Sequence, residues 1–176
     1  ELLVYGGYTT GFRPGNVNNG LAFRLSTPIN TLPDPDFTRQ FLFFDGDEVD
    51  NFELGVKTTF WEGRVSLQAA AFFLDWKDML VHDNDPRVIP QGIYNNNSSG
   101  AEISGAEFEV KAYLTDNLQI RLTGDVNNAE ITSGAEYSTS PKGKELVYSP
   151  NHSYSLSINY ALGLQNGWNL DFYIDR

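Results

Sequence analysis

The sequence predicts an all-β fold: an antiparallel up-and-down meander of about seven long strands, part of a large transmembrane β-barrel. Two observations carry this prediction: the alternation and length of the predicted strands, and the order of the connections between them. Apolar and polar residues alternate along stretches of about ten residues, which is the pattern of strands with one apolar face. Ten residues rise about 23 Å when a strand tilts by about 45°, close to the height of about 25 Å of the apolar band of an outer-membrane barrel.

The second observation is the order of the connections. Short turns and long loops alternate along the chain, so a meander places every short turn at one end and every long loop at the other. Outer-membrane barrels sort their connections in this way. A soluble sandwich has no reason to do so, and its strands are shorter, about five or six residues.

The clearest element is a hairpin whose arms span residues 50–61 and 64–78. Gly63, which tolerates a positive φ, forms a tight turn with Glu62 between the arms. In the first arm, apolar residues occupy one parity and polar residues the other. The apolar set is Phe52, Leu54, Val56 and Phe60.

Five more strands are predicted, with clean alternation in residues 103–114, 118–126 and 153–160. The full ranges of these strands are 2–12, 101–114, 118–131, 153–161 and 168–176. The long loops are rich in Pro, Gly, Asn and Asp, and they span residues 13–48, 79–100 and 132–149. The short turns are Glu62-Gly63, Thr115 to Asn117 and Leu162 to Gly167.

The facing of the strands follows from the same alternation. One parity is apolar and is expected to contact lipid. Its members include Leu54, Val56, Phe108, Val110, Leu122, Leu156 and Ile158. The other parity is charged, which suits a wide barrel with a wet or plugged lumen. Aromatic residues near strand ends are candidates for interfacial girdles, among them Phe60, Trp61, Tyr160 and Trp168.

Composition excludes several classes of protein. The net charge of −11 argues against a nucleic-acid partner. The absence of Cys excludes a disulfide scaffold and a thiolate metal site. The longest wholly apolar run, Ala69 to Leu74, is too short for a transmembrane helix.

Motifs for catalysis or metal binding are missing. His82 lies near Asp83 and Asp85, but the spacing needed for a transition-metal site is absent, and a solvated loop is the better interpretation. His152 follows Ser149 without a G-x-S-x-G motif. The acidic stretch 45–50 lacks the EF-hand spacing. We therefore expect no enzyme activity, no cofactor and no resident metal.

Several stretches together resemble the β-barrel of TonB-dependent outer-membrane receptors. Each motif is weak by itself, and together they cover most of the chain in the family's order. The stretches are Tyr8-Thr9-Thr10-Gly11-Phe12-Arg13-Pro14-Gly15, residues 47–57 with Asn51-Phe52-Glu53-Leu54-Gly55-Val56-Lys57, the return arm Ala69 to Asp78, Ile103 to Glu109, and Gly143 to His152.

This resemblance implies a barrel of about 22 strands in the outer membrane of a Gram-negative bacterium, with an N-terminal plug. Such a receptor imports a scarce ligand, such as a ferric siderophore, with energy passed on by TonB. The chain departs from that pattern because it lacks a plug, a TonB box and a terminal aromatic strand. We expect it to be an internal part of a larger receptor, with TonB engaged through segments absent here. Seven strands leave two open edges, so residues 1–176 alone are not expected to close a barrel.

Loop residues are the candidate ligand contacts, because long loops carry binding on a rigid scaffold. Arginine pairs anionic oxygens in bidentate fashion, and aromatic rings pack apolar parts of a ligand. The candidates are Arg13, Arg39, Arg87, Phe43, Tyr94 and Tyr137. A ferric chelate, cobalamin and a glycan all remain open as the ligand. Two other classes also remain open: a porin or adhesin barrel, and a soluble β-sandwich that binds carbohydrate.

Overall fold

The computed structural model describes residues 1–27, 32–163 and 169–175. Strands dominate this part of the chain, and two short helices lie in its first long loop. The elements are β1 (Leu2–Arg13), β2 (Asn16–Val17), α1 (Asn19–Ser26), α2 (Pro35–Arg39), β3 (Phe43–Phe44), β4 (Asp47–Phe60), β5 (Val65–Asp83), β6 (Tyr94–Tyr113), β7 (Leu118–Gly134), β8 (His152–Gly163) and β9 (Asn169–Asp175).

The long strands form one antiparallel meander. The seven-stranded sheet has the order β1-β4-β5-β6-β7-β8-β9, so each long strand pairs with the next long strand along the chain. The two short strands β2 and β3 pair separately within the first loop. The all-β antiparallel meander predicted from the alternation is therefore confirmed.

Several strands extend beyond their predicted ends. Strand β4 begins at Asp47 rather than at residue 50, and β7 continues to Gly134 rather than residue 131. The largest difference is between β5 and β6, which pair as far as Asp83 and Tyr94, so the predicted loop 79–100 shrinks to residues 84–93. The extra pairing includes two register shifts around Met79. Bulges of this kind let pairing continue where the side-chain alternation that guided the prediction is interrupted.

The loop predicted for residues 13–48 also differs, because it holds α1, α2 and the β2–β3 pair. Helix α2 begins with Pro35 after Asp34, whose Oδ1 accepts a hydrogen bond from Phe37 N at 2.9 Å. Proline at the first position and Asp at the cap are a favourable start for a helix. The last predicted turn, 162–167, lies mostly outside the described residues, as does Trp168.

The two described turns are tight. Arg64 N donates to Trp61 O at 2.9 Å, and Gly63 has φ +82°, as predicted for this turn. Trp61 and Glu62 also have positive φ, which the sequence did not indicate. In the second turn, Thr115 Oγ1 accepts from the backbone N–H groups of the two residues that precede and begin β7, Asn117 and Leu118, at 3.2 and 3.0 Å.

The register places the apolar residues of neighbouring long strands on the same side of the sheet. Directly paired residues of antiparallel strands share a face, and the pairs connect the apolar sets from one strand to the next. One such row is Leu67, Val110, Leu122 and Leu156, and another is Val4, Val56, Ala69 and Phe108. Toward the loop end, this face ends at a row of carboxylates: Asp50, Asp75, Glu102 and Glu130.

The opposite face is polar and internally paired. Tyr5 donates its hydroxyl to Glu53 Oε1 at 2.8 Å, and Arg121 Nε donates to Glu109 Oε2 at 2.9 Å. The sheet therefore has one apolar and one charged face, which is the facing expected for a membrane strand that borders a polar lumen.

Aromatic side chains cover glycines on neighbouring strands. Phe72 and Gly105 are register partners, and a Cβ on Gly105 would lie 2.5 Å from Phe72 Cζ and 2.6 Å from Val126 O. The pairs Tyr5–Gly55 and Phe108–Gly124 repeat the arrangement. Glycine in a strand allows such close approach, and an aromatic neighbour compensates for its missing side chain.

Candidate functional site

The three long connections meet at one end of the sheet and pack against one another. We call the described residues 14–27, 32–46, 84–93 and 135–151 the loop layer. It has an apolar cluster of its own, which includes one buried residue of β6, Tyr94. The buried members are Leu21, Val88, Ile89 and Tyr94, with Phe37 and Phe41 packed against them. The loops therefore have an apolar core of their own, which reaches the sheet only at Tyr94.

Hydrogen bonds join the first loop to the β5–β6 end. Asn18 Nδ2 donates to Asn95 O at 2.8 Å, and Asn95 N donates back to Asn18 Oδ1 at 2.9 Å. Thr38 is fully buried and donates through Oγ1 to Val88 O at 3.0 Å. Because buried polar groups need partners, these bonds hold the two segments in one arrangement.

The third loop is attached to the same strand ends. Thr139 N and Asn84 N donate to His82 O and Tyr137 O, both at 3.0 Å. Ser99 Oγ donates to Ser140 O at 3.1 Å. All three connections consequently form one layer above the end of the sheet.

Arg87 lies where the three loops meet. Its Nε and Nη2 bind the carboxylate of Asp85, at 3.0 and 2.6 Å, and Asp85 is buried. The guanidinium also lies over the rings of Phe37 and Tyr137, at 5.2 and 5.3 Å from their centroids. Hydrogen bonding from Arg87 lowers the pKa of Asp85 despite its burial, and the same bond raises the pKa of Arg87. The pair stays charged, and the cation connects one ring from the first loop to one from the third.

Two of the predicted ligand contacts are engaged in the fold. Arg13 ends β1 and pairs with the buried carboxylate of Asp47, which also accepts from Trp76 Nε1 at 3.1 Å. Tyr94 is only 5% exposed and its ring contacts Phe41 at 5.1 Å between centroids. These contacts give Arg13 and Tyr94 packing roles at the base of the loop layer.

The other four residues predicted to contact ligand differ in how far their side chains are exposed. Phe43 is 67% exposed on β3, and Arg39 is exposed at the end of α2, 3.6 Å from Asp36. Arg87 and Tyr137 lie together, with the ring half-buried under the guanidinium. The structure thus brings Arg87 and Tyr137 into contact.

A cavity of about 500 Å³ in the loop layer was not predicted. It lies between α1, residues 89–93 and the paired ends of β5 and β6. Its polar lining includes Asn19, Arg24, His82, Gln91 and Asn95. His82 was expected in a solvated loop, but it is an exposed residue near the end of β5. The helical spacing of Leu21 and Leu25 is the one signal that would have placed Arg24 on a helix.

The described residues, 1–27, 32–163 and 169–175, contain neither a membrane-spanning helix nor a metal cluster. No helix there is long and apolar enough to cross a membrane. The same residues contain no group of three or more His, Cys, Asp or Glu side chains arranged to hold a metal ion.

The two-faced meander with all its long loops at one end defines a segment of a large barrel wall. A family model described as "TonB dependent receptor-like, beta-barrel" matches residues 1–176, and the chain belongs to this family. Proteins of this family are transport receptors rather than enzymes, and they lie in the outer membrane of Gram-negative bacteria.

Individual relatives agree with this assignment. The metal-pseudopaline receptor CntO of Pseudomonas aeruginosa is 29% identical over 126 residues, which are 71% of this chain and 16% of the relative. The fold resembles the ferric yersiniabactin uptake receptor FyuA of Yersinia pestis, with a TM-score of 0.67 at 23% identity, covering 97% of this chain and 22% of that one. The match to the ferripyoverdine receptor of the Pseudomonas aeruginosa outer membrane has a TM-score of 0.57 at 17% identity, and it covers 99% of this chain and 24% of that one. The chain thus spans less than a third of each relative.

Proposed function

We propose that this chain supplies part of the barrel wall and three outward loops of a receptor that imports a chelated metal, such as a ferric siderophore, across the outer membrane. The family match over the whole chain carries the proposal. The names of its relatives, receptors for metal-pseudopaline, ferric yersiniabactin and ferripyoverdine, favour a metal chelate over cobalamin or a glycan. Membership of a receptor family also favours this reading over a porin, an adhesin or a soluble sandwich.

In this proposal the two faces of the sheet have different surroundings. The apolar face contacts outer-membrane lipid, and the charged face borders the lumen. The loop layer lies at the extracellular end, where the ligand is first met. Energy from TonB reaches the receptor through segments outside this chain.

The loop layer offers a direct test in the full receptor. Val17 and Phe43 are register partners in the β2–β3 pair, so residues 18–42 can be replaced by a short Gly-Ser turn without moving β1 or β4. We expect uptake of ⁵⁵Fe-labelled chelates to be lost because the part of the loop layer that contains α1 and α2 is gone. Heat-modifiable gel mobility, which reports the folded barrel, should be unchanged.

A matched control replaces Thr115, Asp116 and Asn117 with Gly-Ser residues in the turn at the other end of the sheet. This variant should keep both uptake and gel mobility. Undiminished uptake after removal of residues 18–42 would contradict a role for the loop layer in ligand capture.

A further inference from the structure

The first long loop joins the sheet through a narrow neck. Strands β1 and β4 pair as far as Arg13 and Asp47, and β2 and β3 pair only after two further residues on each chain. These neck residues, 14–15 and 45–46, belong to neither ladder. A Cβ on Gly46 would lie only 2.7 Å from Arg13 O, so the two chains cross too closely for a side chain there. Small residues at the ends of elements are typical hinge positions.

Beyond the neck, the loop is a structural unit with hydrogen bonds of its own. We call its described residues, 16–27 and 32–44, the cover. Asn18 N donates to Leu42 O at 2.8 Å, and Asn18 Nδ2 donates to Phe41 O at 2.7 Å. Both helices, α1 and α2, lie between the residues that these bonds join. Because these bonds lie within the cover, the cover can move without losing them.

Two asparagine side chains fasten the first loop to β6. The amide of Asn18, in the cover, binds both backbone groups of Asn95. The amide of Asn97 does the same for Asp45 in the neck, because it accepts from Asp45 N at 2.8 Å and donates to Asp45 O at 3.1 Å. Asn97 Nδ2 also donates to Asp78 O at 2.7 Å, which holds this amide against β5. Each amide thus makes at one point the pair of bonds that a strand ladder repeats along its length.

The cover forms one wall of the loop cavity. Residues 17–21 line the cavity of about 500 Å³ from the cover, and residues 91–95 line it from the opposite side. Val88 is fully buried in the apolar cluster beside it, and Thr38 Oγ1 of the cover donates to Val88 O at 3.0 Å. Movement of the cover would therefore widen the cavity and expose Val88. Exposing apolar surface is unfavourable, so the closed form should dominate.

From these observations we infer that the cover is a hinged lid, which turns about the neck as one unit and controls access to the loop cavity. The amides of Asn18 and Asn97 are the latches that hold the lid closed. The hinge and the latches follow from the geometry of this chain, whereas the passage of a chelate through the opened lid rests on the proposed function. The lid is therefore tested without a chelate, so that its failure would leave the proposed function standing.

Thiol labelling of the purified full receptor measures the opening of the lid. Any Cys outside this chain is first replaced by Ser, and Val88→Cys then places a small apolar thiol under the cover. A water-soluble methanethiosulfonate reagent should label this thiol slowly, because the closed form dominates. Asn97→Asp keeps the shape of the latch but removes its donor. It should speed labelling about tenfold, since losing one or two hydrogen bonds of ordinary strength changes an equilibrium by roughly that factor. Asn18→Asp should act in the same direction.

Two controls separate opening of the lid from other effects. Asn16→Asp adds the same charge to the same loop, but its Oδ1 keeps the bond from the next backbone N–H, so labelling at residue 88 should not change. Ala101→Cys places a thiol at a fully buried position of the sheet, where residue 101 pairs with Trp76 and Ile131. Labelling at residue 101 should be the same with and without Asn97→Asp.

Spin-label distances show whether the cover moves as one unit. One pair of labels, at residues 36 and 102, joins the cover to β6, and a second pair, at residues 23 and 36, lies within the cover. The native side chains Phe23, Asp36 and Glu102 are exposed, so labels fit there. In Asn97→Asp the distance from the cover to β6 should gain a longer component, whereas the distance within the cover should stay the same.

Each outcome decides for or against the lid. Faster labelling at residue 88, with an unchanged distance within the cover, supports it. Unchanged labelling in either latch variant overturns it. Equal acceleration at residues 88 and 101 also overturns it, because the whole receptor has then loosened. A broadened distance within the cover has the same consequence, because the loop then melts locally instead of turning about its neck.

Discussion

Arg87 and Asp85 form a bidentate ion pair in which the Asp85 side chain is only 5% exposed and the Arg87 side chain is 63% exposed. The two residues are separated by Pro86 alone, and Arg87 N also donates to Asp85 Oδ1 at 2.8 Å. The short loop thereby fixes its own cation, which then reaches rings from both neighbouring loops. The pair is the point at which the three connections depend on one another.

Removing the charge of Asp85 should loosen the loop layer. We expect Asp85→Asn to reduce the free energy of local opening by about 1–3 kcal/mol, because a buried acceptor of charged donors is lost. Hydrogen exchange of the Asn84 amide, which donates to Tyr137 O, reports that opening. Asp36→Asn is the control: Asp36 is almost fully exposed beside Arg39, so the change should cost less than about 0.5 kcal/mol. Equal exchange in both variants would contradict the role of Asp85.

The same pair predicts a dependence on pH. Arg87 lowers the pKa of Asp85 in the folded loop, so its stabilisation is fully present above the ordinary Asp value of about 3.9. That stabilisation is lost as pH falls through the lowered folded pKa. Spin labels at Gln40 and Glu136, one on each flanking loop, should give a narrow distance distribution from neutral pH down to about pH 4 and a broad one below. Broadening that begins near neutral pH would contradict this assignment.

Glycine at residue 105 should be required for strand packing. In Gly105→Ala the new Cβ would meet Phe72 and the backbone oxygen of Val126 at 2.5–2.6 Å. We expect a loss of about 1–3 kcal/mol in the free energy of unfolding of the full receptor, because the ring and the neighbouring strand must both move. Gly7→Ala is the control, since no described atom lies within 4 Å of its Cβ position. Denaturant unfolding followed by tryptophan fluorescence measures both. A harmless Gly105→Ala would contradict the packing argument.

Adjacent residues of β7 should respond oppositely to a charge. Leu122 lies on the apolar face beside Val110, whereas Thr123 is the register partner of Glu109. Leu122→Arg should cost about 2–4 kcal/mol if its level is near the bilayer midplane. Thr123→Arg should cost little because it places the cation against a carboxylate. Folding yield in lipid vesicles compares the two variants, and similar yields would be inconsistent with a lipid-facing side.

Strand facing was predictable because alternation is local. The residues next to Leu54, Val110 and Leu122 in the sequence were enough to predict the side of the strand on which each lies. The register between strands then places the three residues on one face of the sheet. The positive φ of Gly63 was predictable for the same reason. Strand ends were not: Met79 to Asp83 continues β5 through bulges that depend on pairing with β6.

The loop layer was beyond sequence reasoning because its order comes from contacts between distant segments. Tyr94 was predicted to meet ligand, but Leu21 and Phe41, more than fifty residues earlier, bury it. Arg13 was predicted to be a loop cation that contacts ligand, but it ends β1, which remains paired with β4 as far as Asp47. Arg24 and His82 share a cavity only because α1 packs against the β5–β6 end.

The two faces of the sheet should lie in different solvents, one in lipid and one in water. The 176-residue chain contains no Cys. Single spin labels are placed on Cys residues introduced along β7 of the full receptor in lipid vesicles, after any Cys outside this chain has been replaced by Ser. Collision with oxygen, which is enriched in lipid, should be high at one parity, and collision with a water-soluble nickel complex should be high at the other. The oxygen-accessible positions should be Ile120, Leu122, Gly124 and Val126, and the nickel-accessible positions Gln119, Arg121, Thr123 and Asp125. Accessibilities without a period of two, or with the opposite phase, would contradict the account.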